Sequence, residues 1–151
     1  MALRMRNHRL RIPASSYTSR IEYQVPFYDT DAMGVVHHAN YVRYLELVRV
    51  RFLRDHDQPY QVYVEQGLQF VVTRVDIQLR RATRFDERLE VTCWLERVRA
   101  VSLSFGYQIH CGDQLTALGF TEHGLVNREG KLARIPEDRR EHLLARIPAF
   151  D

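Results

Sequence analysis

Apolar and polar residues alternate with a period of two in the first regular stretch of the chain, residues 21–28. A β-strand points successive side chains to opposite faces, so this stretch is predicted to be a strand. Its apolar side consists of Ile21, Tyr23, Val25 and Phe27. The run Asp29-Thr30-Asp31-Ala32-Met33-Gly34 then breaks the alternation and predicts a loop.

From Ala39 the period of the apolar residues changes to that of a helix. An apolar stripe at positions i, i+3, i+4, i+7 and i+11 is formed by Tyr41, Tyr44, Leu45, Val48 and Phe52. This spacing predicts a long helix from about Ala39 to His56. A second, short helix is predicted over residues 59–66, with Gly67 ending it.

After Gly67 the period returns to two and is kept over four stretches, at residues 71–80, 89–96, 101–111 and 115–126. The breaks between these stretches are short enough for hairpins or compact turns, so we expect the strands to be antiparallel neighbours in chain order. Residues 136–146 are predicted to form a terminal helix. The expected fold is α+β, with a five-stranded antiparallel sheet wrapped around one long central helix.

Composition supports one globular domain. The chain has 151 residues, of which 45% are hydrophobic and 27% are charged. These values exclude disordered and collagen-like chains. Two cysteines are too few for a disulfide framework. No apolar run approaches the ~18 residues of a membrane-spanning helix, so no span is expected.

The net charge of +3 comes from an N-terminal arm, residues 1–20, which holds five arginines and no acid. The predicted domain, residues 21–151, has 17 basic and 19 acidic side chains. This near balance of charge argues against a nucleic-acid partner, which requires a basic face on the domain itself. The arm has no apolar segment of a secretory signal, and it is short for an organellar transit peptide, which stays the alternative. We expect a cytoplasmic protein.

Polar side chains with chemical potential gather where the loop meets the long helix. They are Asp29, Asp31, His37, His38 and Asn40. A carboxylate here can attack a carbonyl or activate water, whereas the alternative role is that of a turn or N-cap acid. A metal site is not expected, because adjacent histidines at a helix start are predicted to point in different directions.

Residues 28–41 carry a resemblance to a known family. The pattern Asp-x-Asp-x-x-Gly-x-Val-x-His-x-Asn-Tyr is complete here, from Asp29 to Tyr41. It resembles the active-site segment of hotdog-fold acyl-CoA thioesterases, a group that includes 4-hydroxybenzoyl-CoA thioesterase and the Tol–Pal-associated acyl-CoA thioesterase. Weaker similarity extends over about residues 21–136, including a closing strand at 134–136.

The resemblance implies roles for individual residues. Asp31 takes the position of the catalytic carboxylate, as nucleophile or as general base toward water. The backbone N–H of His38 takes the position that polarises the thioester carbonyl, and the His38 side chain is expected to orient Asp31 or a water molecule. Gly34 is expected to let the substrate approach the backbone closely. One departure is that Phe27 stands where a branch of the family has tyrosine, which places the phenol on Tyr28.

Other matching positions are expected to contribute to substrate binding. The set is Gly34, Val36, His37, Asn40, Tyr41 and Glu46. Tyr41 also belongs to the apolar stripe, which favours a place in the core. Glu46 is expected to be a buried polar support paired with Arg43 or Arg49. The phosphates of CoA require cations, and the candidates are Arg74, Arg80, Arg81, Arg84, Arg97, Arg99 and Arg128.

The resemblance predicts an acyl-CoA thioesterase that needs no cofactor and forms a homodimer or a homotetramer, with a neighbouring subunit completing the site. Two alternatives stay open. One is a protein that acts on acyl chains held by acyl carrier protein, with the basic arm docking the acidic carrier. The other is a non-catalytic binding module that uses the fold for dimerisation. The sequence does not identify the acyl group.

Overall fold

The computed structural model describes residues 12–13 and 17–148. In chain order the elements are β1 (Thr18–Gln24), a 3₁₀ turn (Phe27–Asp29), α1 (Ala39–His56), α2 (Tyr60–Glu65), β2 (Gln69–Leu79), β3 (Arg88–Val98), β4 (Ser102–Cys111), β5 (Gln114–Val126) and α3 (Glu137–Leu144). The three predicted helices are confirmed. Most of the predicted basic arm lies outside the described residues, and its last three residues, 18–20, belong to β1.

β1 differs from the predicted first strand. It begins at Thr18 and ends at Gln24, whereas the alternation continued to Tyr28. Pro26 has no N–H to donate and holds φ at −77°, so the chain leaves the strand and enters the 3₁₀ turn. Phe27, predicted on the inward side, is 73% exposed as a result.

The sheet is antiparallel, in the order β1-β3-β4-β5-β2. Pairing in chain order is therefore right for β3, β4 and β5 but wrong for β2, which pairs with β5. Residues 80–87 make no hairpin. They cross from β5, where the Arg80 N–H donates to the Thr116 carbonyl, to the end of β1, where the Asp86 N–H donates to the carbonyl of Val25, the residue that follows the strand. The curl of the sheet around α1 makes this crossing short.

Helix α1 fills the concave face of the sheet. All five residues of the predicted apolar stripe are buried. They pack against the inward-facing side chains of β3, which are Leu89, Val91, Cys93 and Leu95. Each large apolar side chain buried in this way contributes roughly 1.5–3 kcal/mol. The core therefore fixes α1 to the sheet, and with it the loop that precedes the helix.

The C-terminal region closes one end of the core. The predicted closing strand at 134–136 is not a strand. Its Ile135 is buried and donates its N–H to the Ala100 carbonyl, which anchors the segment before α3. No helix in the described ranges is long and apolar enough to cross a membrane.

β2 lies at one edge of the sheet and exposes apolar side chains. They are Val71, Val72, Val75 and Leu79. The neighbouring surface of α1 adds Val42, Leu47 and Val50, which are also exposed. A long apolar edge strand is a template for pairing with another strand, and a contiguous apolar patch marks an interaction surface.

Candidate active site

The loop between the 3₁₀ turn and α1 is a compact turn built on Asp31. The Asp31 N–H donates to the Val35 carbonyl, and the Gly34 N–H donates to the Asp31 carbonyl, each over 2.9 Å. The Met33 N–H donates to Asp31 Oδ1 over 2.8 Å. Gly34 has φ +75°, which glycine adopts without strain. Gly34 therefore closes the turn, and its role in giving the substrate room stays a prediction.

Asp29, the first acid of the motif, holds this loop to the core. Its side chain is buried, and Oδ2 accepts hydrogen bonds from Tyr23 Oη at 2.7 Å and from Tyr44 Oη at 2.5 Å. Burial and the bond to Asp29 raise the pKa of Tyr23 to about 12 and raise that of Tyr44 further. Both phenols therefore stay protonated as donors, and Asp29 is a positioning residue.

The backbone amides at the start of α1 find acceptors within the loop, with one exception. The His37 N–H donates to the Asp29 carbonyl, the Ala39 N–H to His37 Nδ1 and the Asn40 N–H to the His37 carbonyl. The His38 N–H has no acceptor within the described part of the chain. A free amide at a helix N-terminus, where the helix dipole is positive, is a ready donor to an oxyanion.

Asp31 and His38 line the same open cleft, whose volume is about 340 Å³. The cleft lies where the start of α1 meets the end of β2 and the crossing segment. Its other walls are Met33, Val35, Val36, Tyr41, Leu79, Arg80, Arg81 and Ala82. Asp31 is partly exposed there, and only its Oδ1 is engaged by the turn, which leaves Oδ2 for a substrate or a water molecule.

The two histidines do not diverge as predicted. Their rings are stacked, with 4.2 Å between centroids and 27° between planes, and both residues are exposed. The bond from the Ala39 amide to His37 Nδ1 fixes the His37 ring, and the His38 ring packs against it. No group of three or more possible metal ligands occurs among residues 12–13 and 17–148.

Three other motif residues hold the site together. The Val36 N–H donates to the Thr83 carbonyl over 2.7 Å, and Tyr41 Oη donates to Thr83 Oγ1 over 3.2 Å. Asn40 Nδ2 donates to the Asp29 carbonyl over 2.8 Å. Val36 and Tyr41 are buried and form part of the cleft wall. Asn40 does not line the cleft, and its side-chain amide instead bonds the loop at Asp29.

Glu46 is not at this cleft, and its predicted burial is wrong. It is exposed on α1, and no ion pair joins it to Arg43 or Arg49 within 4 Å in the described structure. It lies instead at a separate cavity with Arg49 and His123. The helical period places Glu46 on the side of α1 that faces β2, about two turns from His38.

Arg80 is the strongest candidate among the predicted phosphate ligands. Arg80 and Arg81 both line the cleft. Arg81 is engaged by Glu87 in an ion pair of 3.1 Å. Arg80 is exposed and bonds the neutral Gln78 Oε1 at 2.7 Å and 3.1 Å. It has no carboxylate partner among the described residues.

Sequence reasoning missed the tyrosines that bind Asp29 and the role of Thr83. Tyr23 and Tyr44 were placed on apolar faces, which is correct, but periodicity does not show which buried acid a phenol meets. Thr83 lies in the segment interpreted as a hairpin connection, and it is completely buried against the motif. The crossing of residues 80–87 over the start of α1 was the missing information.

Comparisons with known proteins show the family of the chain. Residues 25–146 match the thioesterase-like superfamily. The acyl-CoA thioester hydrolase YbgC of Escherichia coli is 35% identical over 86 residues, which are 57% of this chain and 64% of that protein. A crystal structure of the hypothetical protein TT1821 from Thermus thermophilus is 36% identical, with a TM-score of 0.80, and the match covers 85% of this chain and 97% of that one.

A more distant structure shares the fold. The 1,4-dihydroxy-2-naphthoyl-CoA thioesterase Slr0204 from Synechocystis is 22% identical, with a TM-score of 0.75 over 84% of this chain and 96% of that one. The hotdog fold and the resemblance carried by residues 28–41 are confirmed, and with them the enzyme class, a thioester hydrolase. The chain belongs to the thioesterase-like superfamily.

Proposed function

We propose that the protein hydrolyses acyl-CoA thioesters, with Asp31 acting at the carbonyl carbon and the His38 N–H binding the carbonyl oxygen. One observation carries this proposal. Asp31 lines the same cleft as His38, the residue at the start of α1 whose amide has no acceptor in the described chain. An oxyanion donor and a carboxylate on one cleft are what acyl transfer requires.

Two mechanisms fit this arrangement. In the first, Asp31 Oδ2 attacks the carbonyl carbon, the C–S bond breaks, CoA leaves as a thiolate, and water hydrolyses the resulting anhydride. In the second, Asp31 takes a proton from water, the hydroxide attacks, and the thiolate then accepts the proton. In both, negative charge develops on the carbonyl oxygen beside the His38 N–H. We assign Arg80 at the rim to the phosphates of CoA.

We also propose that the active form is a homodimer paired through β2. Antiparallel pairing centred on Val75 would set the end of one β2, at the cleft, beside the start of the partner β2. The exposed apolar side chains of β2 and α1 support this arrangement. Val75→Lys should give monomers in sedimentation, with loss of activity. Higher assembly to a tetramer and a cytoplasmic location stay predictions.

The test is release of CoA thiol from a panel of esters. The panel holds acetyl, butyryl, octanoyl, palmitoyl, benzoyl and 1,4-dihydroxy-2-naphthoyl CoA, each with the wild type and Asp31→Asn. Because asparagine keeps the Oδ1 acceptor for Met33, the variant should fold normally and lose activity by roughly 10²–10⁴-fold. Asp113→Asn, at an exposed residue of the β4–β5 turn that does not line the cleft, is the matched control. Equal activity in both variants would refute the assignment of Asp31.

A further inference from the structure

A second cavity lies between α1 and β2, at the opposite end of β2 from the cleft. Its volume is about 150 Å³, which is the size that accommodates one benzene-sized group. Apolar side chains form most of the wall: Val50, Leu53, Phe70, Val72, Leu103 and Phe105. The polar groups at this cavity are Glu46, Arg49, Tyr60 and His123.

Arg49 brings a positive charge to this apolar cavity, and Glu46, the carboxylate residue in the cavity lining, forms no ion pair with it within 4 Å. Arg49 is half-buried, and no carboxylate oxygen lies within 4 Å of it in the described part of the chain. Its hydrogen bond is a long one, from Nη1 to Tyr107 Oη at 3.4 Å. Charged groups in low-dielectric surroundings are normally paired. A guanidinium left with one weak neutral acceptor is therefore available to an anion.

The buried polar groups around Arg49 are neutral and fixed. Tyr107 Oη bonds Thr121 Oγ1 at 2.7 Å, and Thr121 Oγ1 bonds His123 Nε2 at 2.7 Å. Burial, with a smaller contribution from the charge of Arg49, lowers the pKa of His123 to about 3, so this imidazole carries no charge near neutral pH. The network holds Arg49 in place but does not neutralise it.

We propose that this cavity binds the distal end of the acyl group and that Arg49 selects a carboxylate there. The substrate class is then an ω-carboxyacyl thioester, the CoA ester of a dicarboxylic acid. A carboxylate matches the guanidinium in charge and in its two-oxygen geometry. This inference rests on the proposed function. In the β2-paired dimer, the thioester lies in the cleft of one subunit. The cavity that receives the acyl group belongs to the partner subunit and adjoins that cleft.

The negative charge of Glu46 does not prevent Arg49 from selecting a carboxylate. Glu46 is exposed at the edge of the cavity, where water screens its charge. The competing explanation is that Glu46 of the second copy pairs with Arg49 when the dimer forms. Arg49 would then stabilise the dimer and would not discriminate between substrates.

The experiment compares pairs of CoA esters of equal chain length: succinyl with butyryl, adipoyl with hexanoyl, and suberoyl with octanoyl. The monomethyl ester of adipoyl-CoA separates charge from size. Each is measured with the wild type, Arg49→Met and the control Arg54→Met, which alters an exposed arginine of α1 outside the cavity. Binding of the same esters to the Asp31→Asn variant gives a readout that does not depend on turnover.

For at least one pair, the wild type should prefer the ω-carboxy ester in kcat/KM by about 10-fold or more, since a hydrogen bond to a charged group contributes that much. Arg49→Met should abolish this preference, and its kcat/KM for the methyl-ended ester should stay within about threefold of the wild-type value. Arg54→Met should keep the preference. Turnover of other esters without any preference for a carboxylate would overturn this inference alone. Equal losses for both members of each pair, with dissociation of the dimer, would assign Arg49 to assembly. No turnover and no binding of any ester would remove the proposed function as well.

Discussion

Replacing His38 by proline tests the oxyanion donor, because proline removes one N–H and changes little else in this setting. His38 has φ −55°, which the proline ring can adopt, and it precedes the first residue of α1, where proline is tolerated. Its amide has no acceptor in the described chain, so no hydrogen bond of the fold is lost. His38→Ala is the matched variant, since it removes the imidazole but keeps the amide.

Removing one oxyanion-hole donor costs about 10²–10³ in kcat, or about 2.7–4 kcal/mol of transition-state stabilisation. We expect His38→Pro to lose this factor relative to His38→Ala, with KM changed much less, because the bond strengthens as charge develops on the oxygen. Thiol release measures both constants, and thermal unfolding checks that the two variants are equally folded. Equal kcat in two equally stable variants would refute the role of this amide.

Three further predictions follow from the fold around the site. Tyr44→Phe removes a hydrogen bond to the buried Asp29 carboxylate, so the free energy of unfolding should fall by about 1.5–3 kcal/mol in urea titrations at fixed protein concentration. Gly34→Ala and Gly130→Ala both place a side chain at φ +75°, so each should lower the free energy of unfolding by roughly 1–2 kcal/mol. Only Gly34→Ala should also lower kcat, because Gly130 lies in a turn away from the cleft. Burial lowers the pKa of His123 to about 3, from its usual 6.5. Between these two pH values the unfolded chain binds a proton that the folded chain does not, so the free energy of unfolding should rise from pH 3 to pH 6.5. The variant His123→Gln should flatten this slope.

The sequence predicted the fold class and the loop–helix junction because both depend on local information. Period-two and helical spacing located β1 to β5 and α1 to α3 to within a few residues, and the motif from Asp29 to Tyr41 marked the junction. The position of β2 was missed for a physical reason. A break of eight residues permits either a hairpin or a crossing, and only the curl of the sheet around α1 favours the crossing. The cleft wall formed by residues 80–82 was missed with it.

Burial of polar residues was predicted less well than burial of apolar ones. Glu46 falls on the side of α1 that β2 leaves partly open, so it is exposed, whereas Asp29 is buried because two tyrosines from different elements converge on it. These outcomes depend on contacts across the sequence, which periodicity does not report. The stacking of His37 on His38 likewise follows from one local hydrogen bond, the one that the Ala39 amide donates to His37 Nδ1.

The loop before α1 satisfies most of its own hydrogen bonds, and at the start of α1 it leaves the His38 amide without an acceptor in the described chain. In the proposed function, that amide and the carboxylate of Asp31 act on the thioester carbonyl, a group that every acyl-CoA shares, and neither contacts the acyl group. Reactivity and selectivity are thereby encoded in separate parts of the chain, one short motif and one dispersed set of cavity residues. Substitutions in the second set are then expected to change the preferred substrate while the residues of the first set, and the reaction itself, are kept.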